Sequence, residues 1–131
     1  MQITGIKSRE EALAYLPYLD IFVIPSLHDG CPNAMLEAMQ AGCAIVGSNV
    51  DAIGEILAEG NAGLLVEPGD TDSLATALKQ LALNPQLRQT LGMKAKQMVL
   101  ENLAPSIENQ NWRFVYQQGL KTESTLLAMS R

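Results

Sequence analysis

Cysteine, histidine, aromatic side chains and blocks of basic charge are all scarce in this sequence, and each shortage closes off a class of function. Cys31 and Cys43 are the only cysteines and His28 the only histidine. Their spacing fits neither a zinc site nor a redox pair, and one histidine cannot complete a metal site. Two reduced thiols in a cytosolic protein are expected. Aromatics make up 5% of the chain, so Leu, Ile, Val, Ala and Met must fill the core. The net charge is −5 with no run of Lys or Arg, which argues against binding nucleic acid or an anionic membrane through a basic face. No stretch reaches the roughly 18 apolar residues of a membrane span. The opening MQITGIKSREE has no apolar run of the kind a secretory signal needs. The expected setting is cytoplasmic.

What is present is a globular composition. The chain has 131 residues, 47% hydrophobic and 18% charged, enough for one packed domain. Its segments alternate. Residues 2–4 read as a short strand ended by Gly5, and residues 10–16 as a helix. The run IFVIP after Asp20 is apolar on both faces, as a strand covered on both sides should be. A helix over 33–41 has Pro32 near its start and Gly42 just after it. A second strand is predicted over 44–46, a short helix over 53–58 and a third strand over 63–66. Asp70 or Thr71 caps a helix that runs to Leu83, and Asn84-Pro85 starts another, striped with Leu87, Leu91, Ala95 and Met98. A last helix around 107–120 and a frayed tail from 122 complete the prediction. Strands alternating with helices imply an α/β fold: a partial Rossmann-like parallel sheet with helical crossovers and a helical C-terminal extension.

The stretch SLHDGCPNAMLEAMQAG, residues 26–42, carries the chemistry. In open parallel sheets ligands bind beyond the carboxyl ends of the strands, and this stretch follows the end of IFVIP. The helix that starts near Pro32 offers unpaired N–H groups and a positive dipole end, suited to a phosphate or diphosphate. Gly30 lets a ligand approach the backbone closely. Glu37 lies about one turn further in, roughly 6 Å along the axis. That is too deep for the phosphate and suited to a diol, which can donate two hydrogen bonds to a carboxylate. Asp29, on the loop, can hold hydroxyls at the ligand's other end. The plainer alternative is favourable charge placement at a helix start. A glycosidase using Asp29 and Glu37 as acid and base is disfavoured, because such carboxyls must face each other across the scissile bond.

Taken together, DIFVIPSLHDGCPNAMLEAMQAGCAIVGSNVDAIGEILAEGNAGLLVEPGDTDSLATAL resembles the donor-binding half of glycosyltransferase family 4, the retaining enzymes of GT-B fold, over about residues 3–103. The resemblance runs through Pro-Ser after an apolar strand, an acid-Gly pair, Glu-Ala-Met seven residues on, a second apolar strand, and Gly-Leu-Leu-Val before Pro-Gly-Asp. It implies that Glu37 binds the ribose of a nucleotide sugar. It also implies that Asp29, with Gly30, stands where the family has the Glu that touches the transferred sugar. Pro32, Asn33 and Ala34 then form the turn facing the diphosphate, and Glu55 is mainly structural. The donor would be a UDP or GDP sugar, and no metal or other cofactor is implied. His28 is expected to be a solvated loop residue, and Cys31 a small packing residue at the helix start.

Beyond Asp29, the sequence departs from that pattern where Asp51-Ala52 replaces Gly-Gly and Gly54 replaces a proline, and Asp51 adds a negative charge near the expected diphosphate that weakens binding unless it points away. No residue matches the Arg/Lys pair that neutralises the leaving diphosphate, Lys7 and Arg9 included. No catalytic residue is therefore assigned. By the resemblance, an acceptor domain and two donor-domain strands belong upstream. Residues 1–121 then form a truncated nucleotide-sugar-binding domain, and IFVIP an open apolar edge prone to association. The expected partners are a nucleotide sugar and the missing half or a partner chain, with peripheral membrane association of the full enzyme. The alternatives are a non-catalytic, partner-dependent binding module and a remnant without ligand.

Overall fold

The computed structural model describes residues 1–103; the helix expected around 107–120 and the tail from 122 lie outside the described residues. Helix α1 (Arg9–Tyr15) begins with a capping box. Glu11 N–H donates to Ser8 Oγ at 3.2 Å, and Ser8 N–H donates to Glu11 Oε2 at 2.9 Å. A 3₁₀ turn (Leu16–Tyr18) leads into strand β1 (Ile21–Ile24). Then come α2 (Asn33–Gln40), β2 (Ala44–Ser48), α3 (Asp51–Gly60), β3 (Gly63–Val66), α4 (Thr71–Leu83) and α5 (Pro85–Met98), the last continued by a π turn (Val99–Leu103). Asp70 caps α4 by accepting from Ser73 N–H at 3.0 Å, and Asn84 caps α5 by accepting from Leu87 N–H at 3.0 Å.

The sheet is parallel, in the order β1-β2-β3, with Phe22 beside Ile45 and Val46 beside Leu64. Side chains alternate between its faces, and each face has its own core. Phe22, Ile24, Ile45 and Leu65 pack with Met35, Met39, Ile53 and Leu57 from α2 and α3. Ile21, Ala44, Val46, Leu64 and Val66 pack with Leu74, Ala77, Leu81 and Leu91 from α4 and α5. Every residue of β2 is buried, whereas β1 and β3 are only partly covered. This is why the strand runs read as apolar on both sides.

Helix α5 joins the two faces. Its Leu87 and Leu91 belong to the α4 side, and its Ala95 and Met98 to the α2 and α3 side. It crosses at the amino end of β2, where Gly92 packs against the carbonyl of Gly42 and leaves no room for a Cβ. Gly42 itself has a φ of +85°, a left-handed conformation at the end of α2 that suits glycine.

Residues 2–4 are not a strand. They have no regular structure and lie exposed, Ile3 at 82%. The physical reason is the lack of a ladder partner: an extended segment leaves its N–H and C=O groups unpaired unless a neighbouring strand takes them, and among the described residues β1 pairs with β2 alone. Helix α3 begins two residues earlier and ends two later than predicted. Val50 N–H donates to Ser48 O, Gly54 N–H donates to Val50 O, and Asn61 closes the helix in a left-handed conformation at φ 46°.

Candidate functional site

The expected site residues come together where β1 ends. The chain leaves Ile24, runs through residues 25–32 and enters α2 at Asn33. The loop is shaped by its own polar groups. Cys31 N–H donates to Asp29 Oδ1 at 3.1 Å, a local Asp-centred turn, and Asn33 N–H donates to Cys31 O at 2.8 Å. Cys31 is exposed rather than packed, a correction to its expected role. Its carboxylate-bonded amide and its thiol, 3.5 Å from Asn33 Oδ1, hold it on the outside of the turn. Cys43 is the buried thiol; it donates to Leu16 O at 3.3 Å, and burial pushes its pKa up to about 11.

No side chain caps α2, since Pro32 occupies the cap position. Asn33 and Ala34 are exposed at its start, Pro32 is buried beneath them, and Gly30 is exposed on the loop. Met35, Leu36, Ala38 and Met39 turn into the core. Glu37 lies between these faces, its side chain 15% exposed. Its Oε1 accepts a hydrogen bond of 3.0 Å from Arg9 Nη2, on the first turn of α1. Two causes act on its carboxyl. Burial raises its pKa and the Arg9 guanidinium lowers it; burial dominates, so the net direction is up. The weak hold of Arg9 follows from its own 61% exposure, which screens the pair. Glu37 is therefore neither sealed in the interior nor free.

At the other end of the loop stands Asp51, the acid that replaces a glycine of the family pattern. Its φ of 42° is the left-handed conformation that such a glycine adopts freely. Its carboxylate does not point away from the loop: Oδ2 accepts from Asp29 N–H at 3.0 Å and lies 3.7 Å from His28 Nδ1. His28 is 91% exposed, the solvated residue that was expected. Glu55 lies exposed on α3. At Gly54, the space where a proline's Cβ would stand is taken by Asn49, whose Oδ1 would be 2.5 Å from it.

Sequence reading thus placed Asp29, Gly30, Pro32, Asn33, Ala34 and Glu37 on one continuous loop and helix start, and the structure has them there. It gave no partner for Glu37 and none for Asp29 N–H. Arg9 lies 28 positions from Glu37 and Asp51 lies 22 from Asp29, and neither separation leaves a local pattern. The signal available was charge alone.

The family model for glycosyl transferases group 1 matches residues 1–84. The chain belongs to that family. Among curated relatives, 2-deoxystreptamine N-acetyl-D-glucosaminyltransferase of Niallia circulans is 25% identical over 115 residues, covering 88% of this chain and 30% of that protein. An MMP alpha-(1->4)-mannosyltransferase of Mycolicibacterium hassiacum is 34% identical over 95 residues, covering 72% of this chain and 23% of that protein. The C-terminal domain of a group 1 glycosyl transferase from Francisella tularensis superposes with a TM-score of 0.69 at 29% identity, covering 77% of this chain and 52% of that one. Sucrose-phosphate synthase from Thermosynechococcus elongatus superposes with a TM-score of 0.63 at 25% identity, over 88% of this chain and 27% of that one. The group 1 glycosyl transferase chain thus spans less than a third of the curated relatives it matches, and its neighbours have the GT-B fold. No helix among the described residues is long and apolar enough to cross a membrane.

Proposed function

We propose that this chain is the donor-binding part of a retaining glycosyltransferase and binds a UDP or GDP sugar. The observation that carries the proposal is the pairing of an uncapped start of α2, exposed at Asn33 and Ala34, with a half-buried acid one turn further on. The diphosphate takes the helix start at Pro32, Asn33 and Ala34; Pro32 has no N–H and Asn33 N–H already donates to Cys31 O, so the Ala34 N–H and the helix dipole are what favour an anion there. Glu37 accepts the two ribose hydroxyls. Asp29 and Gly30 lie beside the transferred sugar, with Asp29 Oδ1 already accepting from Cys31 N–H. Asp51 opposes an anion at the same loop, where its Oδ2 accepts from Asp29 N–H.

In the whole enzyme the bond from the anomeric carbon to the diphosphate oxygen breaks, a bond from that carbon to the acceptor hydroxyl oxygen forms with retained configuration, and the hydroxyl proton passes to the departing nucleoside diphosphate. The part of this reaction read in these residues is donor binding. By the resemblance, no Lys or Arg here matches the pair that stabilises a departing diphosphate, an electrostatic contribution worth roughly several kcal/mol in such sites. We therefore expect no transfer by the chain alone.

Calorimetry with UDP-sugars and GDP-sugars tests binding. A saturable isotherm that Glu37→Ala abolishes is expected. Binding that survives Glu37→Ala unaltered overturns the ribose assignment, and absence of binding to either nucleotide class leaves a structural remnant.

A further inference from the structure

We propose that Arg9 competes with the ligand's diol for Glu37, so that the nucleoside end of the site opens only when the Arg9 side chain swings off the Glu37 carboxylate. The inference rests on the ribose reading of Glu37 given above. It starts from one contact across the site: Arg9 Nη2 donates to Glu37 Oε1 at 3.0 Å. A carboxylate holds a vicinal diol best with both oxygens free to accept. Here one oxygen is already engaged by a guanidinium. The diol must displace it, and the displaced cation must return to water.

The geometry makes that exchange possible. Arg9 is 61% exposed, while Glu37 is 15% exposed. The guanidinium can therefore swing out to solvent without disturbing the core, whereas the carboxylate stays fixed on the wall of α2. The backbone of Arg9 is held in place from the other side by the Ser8–Glu11 capping box. The moving part is the side chain alone, and α1 need not unfold. Arg9 is thus a built-in occupant of the ribose acceptor, and its removal should tighten nucleotide binding.

The competition has signatures that a structural ion pair lacks. Calorimetry is run on the full chain with UDP, with GDP and with their 2′,3′-dideoxy counterparts. Arg9→Ala is expected to tighten binding of the diol-bearing nucleotide by about two- to five-fold, the range an ion pair of this exposure supports. It should leave the dideoxy nucleotide unchanged. Arg9→Lys, which keeps the charge and loses the planar fork, should fall between. Raising the salt concentration should narrow the gap between wild type and Arg9→Ala, because the ion pair is screened. If Arg9→Ala leaves diol binding unchanged or weakens it, while Glu37→Gln still removes the preference for the diol, the competition is wrong and the ribose reading stands. If Glu37→Gln keeps the full diol preference, or neither nucleotide binds wild type or Arg9→Ala, the ribose reading fails and the competition goes with it.

Discussion

At Glu37 two opposed effects meet, and their balance is measurable. Burial favours the protonated acid and Arg9 favours the carboxylate, with burial the larger. The folded-state pKa therefore lies above the unfolded one. Between those two values the folded chain binds more protons than the unfolded chain, so stability falls as pH rises through that window. Above the window the ionised Glu37 is a net cost to folding. Glu37→Gln keeps the shape and removes the charge. It should behave like wild type at pH near 4 and gain in relative stability as pH rises to neutrality. Denaturant unfolding of both proteins across that range checks the sign. A Glu37→Gln chain that is less stable than wild type at neutral pH would show that the Arg9 ion pair outweighs burial. An acid kept at a folding cost, on a helix that otherwise buries Met35, Leu36, Ala38 and Met39 on its inner face, is the pattern that a binding role produces. The acid itself was legible from its spacing behind Asp29 and Pro32. The guanidinium on it was not, because nothing local to residues 7–11 marks Arg9 out from any exposed helix-start cation.

Among the elements, what the sequence revealed depended on whether the determining interaction was local. Strands β1, β2 and β3 were readable from unbroken apolar runs, and α4 and α5 from cap residues and leucine spacing. The start of α3 was not, since it depends on Asp51 taking a left-handed φ of 42° and on Asn49 filling the space above Gly54. The strand expected at residues 2–4 failed for want of a neighbour, which no local pattern reports. Gly92 is a second case. Within α5 it looks like a weak point, since alanine is favoured over glycine in a helix interior by about 1 kcal/mol. Its surroundings reverse that preference. A Cβ at Gly92 would collide with the backbone carbonyl of Gly42, and a backbone atom cannot rotate away as a side chain can. Gly92→Ala should therefore lower stability by about 1–3 kcal/mol, the usual range for overpacking, despite its better helix propensity. Chemical denaturation is the check, and a stabilised Gly92→Ala chain would mean that α5 does not cross so tightly at the amino end of β2.

On the scale of the whole chain, the side of β1 that has no partner strand among the described residues decides behaviour. Asp20 O accepts from Ala44 N–H at 3.1 Å. By the alternation of a parallel ladder, Phe22 and Ile24 then turn their N–H groups to β2, and Ile21 and Val23 turn theirs to the open side. The β1 side chains are apolar throughout, with no inward charge, proline or bulge to blunt the edge. The 131-residue chain alone should then be marginally stable and should pair through β1. Its melting temperature should rise with protein concentration, and sedimentation should show self-association at the same concentrations. Val23→Pro removes an outward N–H without touching the ladder to β2, a position where an edge strand tolerates proline. It should abolish the concentration dependence while leaving the far-ultraviolet circular dichroism of the dilute chain unchanged. A dilute wild-type monomer that melts cooperatively, at a temperature independent of concentration and unaffected by Val23→Pro, would mean that the three-stranded sheet is sufficient in itself and that its edge recruits nothing.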